Sequence, residues 1–166
     1  MDFNFSIVFA ATAVPLIIGF IWYHPKVFGT AWMKVTGMTP EQGKKSNMWV
    51  TFGLTILFSF FMATVLMSLV VHQIHVGALL TNQPDSKDAN SESMAMLKRF
   101  MELYGNSYRT FKHGVFHGTL TGIFLALPII AINALFEQRG FKYIAINAGY
   151  FIVSMALMGG LICAFL

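Results

Sequence analysis

Apolar residues fill four long stretches of this chain, and polar residues collect in the gaps between them. No Asp, Glu, Lys or Arg occurs in 3–23, 46–84, 114–136 or 143–166. Each stretch can supply the ~20 apolar residues that cross a hydrocarbon core as a helix. The pattern predicts spans at about 5–23, 49–76, 113–136 and 143–166, with a polar insert at 77–112. Pro15 predicts a kink in the first span, and Trp22 and Tyr23 sit where aromatic side chains anchor a helix at the membrane interface. The loop "EQRGFK" is short enough to make the third and fourth spans antiparallel neighbours. In the insert, "TNQPDSKDANS" reads as a turn. Behind it Met94, Leu97, Phe100, Met101 and Tyr104 recur at helical steps, with Lys98, Arg99 and Glu102 on other faces. A short amphipathic helix is expected there, lying on the membrane or against the protein's own loops. The fold class is therefore an all-α membrane protein: four transmembrane helices in an antiparallel bundle, one domain over 1–166.

Composition agrees. With 56% hydrophobic and 11% charged residues and a mean hydropathy of +0.64, the chain lies outside the range of soluble domains. The net charge of +4 comes from Lys and Arg spread over three loops, not from one basic face, which excludes a nucleic-acid interface. The bilayer is the expected partner. Counted by loop, six Lys and Arg (Lys26, Lys34, Lys44, Lys45, Arg139, Lys142) face five (Lys87, Lys98, Arg99, Arg109, Lys112). This near-tie, with Lys26 following the first span and only Asp2 before it, points to both termini outside a bacterial cytoplasmic membrane. "MDFNFS" carries no basic residue ahead of the apolar run, so the first segment reads as a retained span. Cys163 is the sole cysteine and has no intrachain disulfide partner.

Two ladders interleave in "HGVFHGTLTG" at 113–122: His113, His117 and Thr121, beside Gly114, Gly118 and Gly122. Four-residue steps give each ladder its own helix face. The glycines form a groove one side chain deep, suited to close helix approach in lipid. Ala145, Gly149, Ala156 and Gly160 form a similar stripe on the fourth span, so the two helices are expected to meet there, or one groove to make a homo-oligomer. His72 and His75 close the second span while His113 and His117 open the third. The i, i+3 and i, i+4 spacings suit imidazole ligands for a transition metal. Interfacial hydrogen bonding and a pH-responsive cluster are the other readings of the same four residues.

The stretch 19–37, "GFIWYHPKVFGTAWMKVTG", resembles the bacterial membrane family catalogued as domain of unknown function 1761, through Gly19, Trp22, Tyr23, Pro25, Phe28, Gly29 and Trp32. The stretch 133–150 is similar to the same family through Asn133, Phe136, Glu137, Asn147, Gly149 and Tyr150. The resemblance implies a small four-helix membrane protein and supplies no activity. The predicted topology brings both stretches to one membrane face, which makes Trp22, Tyr23, Trp32, Asn133, Glu137, Asn147 and Tyr150 a candidate shared site. There the polar side chains would satisfy the irregular backbone of "WYHPKVFG", or Glu137 would centre a ligand or ion site.

No phosphate loop, Gly-x-Ser-x-Gly or His-Glu-x-x-His occurs, so no catalytic role and no cofactor beyond a transition metal is expected. A structural, assembly or accessory subunit acting through helix packing ranks first. A small-solute or ion transporter with a site near Glu137 is the competitor, and a lipid-directed enzyme comes third.

Overall fold

The computed structural model describes residues 4–166, of which those in regular structure are all helical. The elements are α1 (Ser6–Ala11), α2 (Val14–Trp22), a π-helical turn (Pro25–Gly29), α3 (Thr30–Thr36), α4 (Pro40–Lys44), α5 (Met48–Val70), α6 (Gln73–Thr81), α7 (Glu92–Tyr104), α8 (Phe111–Thr121), a second π-helical turn (Gly122–Ala126), α9 (Leu127–Phe136) and α10 (Phe141–Phe165). Three continuous helices are long and apolar enough to cross a membrane: Met48–Val70, Phe111–Phe136 and Phe141–Phe165. The helices at Ser6–Trp22 and Pro25–Thr36, bent by 54° at the break between them, make a fourth if counted as one span.

Local chemistry sets these boundaries. Pro15 has no N–H and its ring crowds the carbonyl four residues earlier, so α1 and α2 part at Thr12–Ala13. The Thr12 hydroxyl donates to the Phe9 carbonyl at 2.6 Å beside that break. His24, extended because it precedes proline, turns the chain out of α2. In place of the irregular loop expected from "WYHPKVFG", the chain forms a π-turn that continues into α3. It closes through the Gly29 amide to the His24 carbonyl at 3.0 Å, and a methyl group at 29 would strike the Tyr23 carbonyl. α3 stops at Gly37, in the left-handed region at φ 75°. Asn47, Ser91 and Thr110 accept backbone hydrogen bonds to cap α5, α7 and α8.

The second span differs from the expected 49–76. α5 ends at Val70, and Val71–His72 separate it from α6. The Val70 carbonyl accepts from the Cys163 thiol at 3.3 Å. Just past the break, buried Gln73 donates to the carbonyls of Tyr104 and Ser107 at 2.8 and 2.9 Å. These contacts turn the chain where no Pro or Gly stands. α7 packs along α6, and a groove of about 810 Å³ between them is lined by Ile74, Gly77, Met94, Leu97 and Met101.

α10 is the centre of the packing. Half of its most apolar window is buried inside the protein, against 22% for α5 and 17% for the third long helix. Its main partner is α8, antiparallel to it. The glycine seam is present, but its register differs from the expected stripe. A methyl at Gly114 would strike the Gly159 carbonyl, at Gly118 the Met155 carbonyl and Ala156, and at Gly122 Ile152. Of the stripe, only Ala156 meets the ladder. Gly149 lies under the Trp22 ring, and Gly160 under Phe111 and Val115. Because α10 fills the groove from within the chain, the groove is not open to a second copy.

Candidate functional site

Polar chemistry concentrates at the two ends of α10. At the end where α2, α3 and the start of α10 meet, an aromatic cluster closes around Asn147. Tyr23 OH and Trp32 Nε1 both donate to Asn147 Oδ1 at 3.2 Å, and Asn147 Nδ2 donates to the Tyr143 carbonyl at 2.8 Å. Both acceptor positions of the amide oxygen are thereby used. Trp22 Nε1 donates to the Ile146 carbonyl at 3.0 Å and Tyr150 OH to the Pro15 carbonyl at 2.9 Å. Ring contacts link Tyr23 to Trp32 (5.4 Å), Tyr23 to Tyr150 (5.3 Å) and Trp22 to Phe28 (4.5 Å). The cause is the bend after α2: it swings Trp32 back over the first turns of α10, beside Tyr23 and onto the same acceptor. A pocket of about 520 Å³ opens beside Tyr23 and Tyr150, lined also by Pro15, Gly19, Thr51 and Thr55.

Five of the seven residues expected at a shared site therefore converge: Trp22, Tyr23, Trp32, Asn147 and Tyr150. Asn133 and Glu137 do not. Asn133 is exposed on α9 and makes no side-chain hydrogen bond among the described residues. Glu137 is an exposed residue at the C-terminal end of α9, 3.7 Å from the Arg139 guanidinium. The short turn after α9 directs Arg139, not Glu137, towards α3, where it reaches the carbonyls of Val35 and Thr36 at 3.4 and 3.5 Å. Sequence reasoning missed Arg139 in that role, and also the Ile146 carbonyl, which no side-chain pattern reveals.

At the opposite end, three histidines meet. His72 stands at the break between α5 and α6, and His113 and His117 occupy successive turns of α8. His72 Nε2 lies 3.0 Å from His113 Nε2. Ring centroids are 5.1 Å apart for His72–His113, 4.9 Å for His72–His117 and 4.5 Å for His113–His117. One nitrogen from each ring lies within 4.8 Å of the others. His75 is the exception among the four expected ligands. On the first turn of α6 it is exposed and outside the group. The helix break removes the shared face that the i, i+3 spacing assumed. Close by, Cys163 donates to the carbonyls of Val70 and Tyr108, and Arg109 Nε to the Cys163 carbonyl at 2.9 Å. These bonds draw the α5 terminus and the start of α8 against α10 and fix the distance between His72 and the other two.

Long apolar helices fastened to a central one through glycine seams and aromatic hydrogen bonds define an all-helical protein suited to a membrane. The chain belongs to the family described as protein of unknown function DUF1761, whose profile matches residues 6–163. No curated protein and no solved structure matches it.

Proposed function

We propose that this is a four-span integral membrane protein that acts without catalysis, as a structural, assembly or accessory subunit. In this reading α1 to α3 form one bent span, α10 is the post to which the others are tied, and both termini lie outside a bacterial cytoplasmic membrane. The observation that carries it is where the polar groups of the spans point. The hydroxyls of Thr55, Thr64, Ser68, Thr119 and Thr121 donate to carbonyls one turn back in their own helices. Asn147, Tyr150 and the tryptophans bond inside the packing. A solute pathway needs polar groups turned to a common lumen; helix-internal bonds leave the surfaces apolar and suited to lipid or to another helix. Exposed Leu54, Phe58, Phe61 and Val65 on α5 give self-association or a larger complex an available face. The transport alternative centres on Glu137, which is exposed and paired with Arg139.

Gentle extraction from native membranes, followed by mass determination of the intact particle, tests the role. A defined stoichiometry with itself or a partner is expected. Ion or solute flux in reconstituted liposomes that disappears with Glu137→Gln would establish transport instead. Single cysteines at Lys45, Lys87 and Arg139 in a Cys163→Ser background test the spans: Lys87 should label from the opposite side to the other two. Labelling of all three from one side rejects four crossings.

A further inference from the structure

We propose that His72, His113 and His117 form a binding site for one divalent transition metal ion of the Zn²⁺ and Cu²⁺ class, a step beyond the assembly role above. Three observations carry it. First, one nitrogen from each of the three rings lies within 4.8 Å of the others. Tetrahedral Zn²⁺ with roughly 2.0–2.1 Å bonds to imidazole needs its ligand nitrogens ~3.3 Å apart. The His72–His113 pair is already at 3.0 Å, and His117 offers a nitrogen within 4.8 Å of theirs.

Second, the three rings have no hydrogen-bond partner outside the group among the described residues, and Tyr108 and Phe116 meet His113 and His117 through ring contacts alone. Among the described residues none of the three rings donates to a carbonyl or carboxylate, so their one polar contact is with each other. The two Nε2 atoms facing at 3.0 Å make at most one hydrogen bond between them, and each neutral imidazole can offer a metal ion a ring-nitrogen lone pair.

Third, the ligands come from two rigid supports. His113 and His117 are one turn apart on α8, whose next residues, Gly114 and Gly118, are locked against α10. His72 is held by its neighbours: Val71 and Gln73 are buried, and Gln73 is anchored to Tyr104 and Ser107. His72 itself is exposed and the other two half-buried, so one side stays open to water. Three neutral nitrogens and an open fourth position suit a borderline ion, not Mg²⁺ or Ca²⁺, which take oxygen ligands. No carboxylate among the described residues joins the group to balance the charge, so the open position favours an anionic fourth ligand such as hydroxide or chloride. The bound ion would clamp the α5–α6 break to the start of α8.

The test uses full-length protein without a histidine tag, stripped with chelator and reconstituted in lipid nanodiscs. Zn²⁺ and Cu²⁺ are titrated against a competing chromophoric chelator, with Mg²⁺ as control. One ion per chain is expected, with affinity falling at least about tenfold in each of His72→Ala, His113→Ala and His117→Ala, since even indirect contacts to a metal are worth that much. His75→Ala should keep the wild-type affinity. Each variant is first checked for native elution volume and helical content. If an alanine variant fails that check, the Gln variant at the same position replaces it. Folded wild type that binds no stoichiometric Zn²⁺ or Cu²⁺ overturns the proposal. So does an equal loss in His75→Ala, which would place the ion elsewhere.

Discussion

The two ends of α10 hold similar sets of polar rings and treat them in opposite ways. At the aromatic end each donor finishes on an acceptor: two on Asn147, one on the Ile146 carbonyl, one on the Pro15 carbonyl. At the histidine end three rings converge, and among the described residues their one hydrogen bond is between His72 and His113. The first arrangement is complete without a ligand and serves as a joint. The second has one hydrogen bond, between His72 and His113, and leaves the His117 ring without one among the described residues. That difference separates residues that hold the fold from residues available to a ligand.

The seam between the two ends gives the largest expected effect. Gly118→Leu places a side chain into the Met155 carbonyl and should cost more than about 3 kcal/mol, or prevent folding, since overpacking a tight contact typically costs 1–3 kcal/mol. Thermal unfolding in detergent reads it. Gly53→Ala on α5, where an added methyl meets nothing, should be neutral or stabilising by up to about 1 kcal/mol. If the two behave alike, neither end depends on the seam.

Metal protection comes next. At a free Zn²⁺ concentration about a hundredfold above its dissociation constant, linkage adds about 2.7 kcal/mol to the wild type. His117→Ala should cut that gain to about 1.4 kcal/mol or less, as an affinity loss of tenfold or more requires. Without metal the same variant should change stability by less than about 1 kcal/mol, and a larger metal-free loss would mean that the histidine end is itself a joint. The sign with pH follows from the ligand. Imidazole binds metal only when deprotonated, so protection should fade as the pH falls and the ligands take up protons.

Asn147→Ala leaves the Tyr23 hydroxyl and the Trp32 indole without their acceptor and should cost about 2 kcal/mol, with a red shift of tryptophan emission. The smallest effects belong to Asn133→Ala and Glu137→Gln, each within about 0.5 kcal/mol. A loss at Glu137 comparable to that at Asn147 would restore it to the aromatic end.

Much of this is legible in the chain because it rests on periodicity and residue type. The long apolar helices, the Pro15 kink, the amphipathic α7 and the glycine groove follow from local pattern. The features that local pattern misses depend on tertiary contact. Nothing at Val71–His72 marks a helix end: the break is held by Gln73 and Cys163 reaching partners far along the chain, and it takes His75 out of the metal group. The shift of the α10 seam to Gly159 is likewise a matter of register between helices. Two adjacent glycines, Gly159 and Gly160, offer two faces, and only the crossing geometry chooses between them. Glu137 draws attention because an ionisable residue near a span suggests function, yet the turn after α9 directs it outward.

The dominance of α10 also bears on the order of assembly in a membrane. Helices enter the bilayer in sequence and associate afterwards, and the α10 residues that complete the earlier spans belong to the last helix described. Until Phe141–Phe165 has entered, the Trp22 and Trp32 indoles, the Tyr23 hydroxyl and the glycine face of α8 have no counterpart. Under the four-span proposal, the packing around α10 is completed only when that helix is in place.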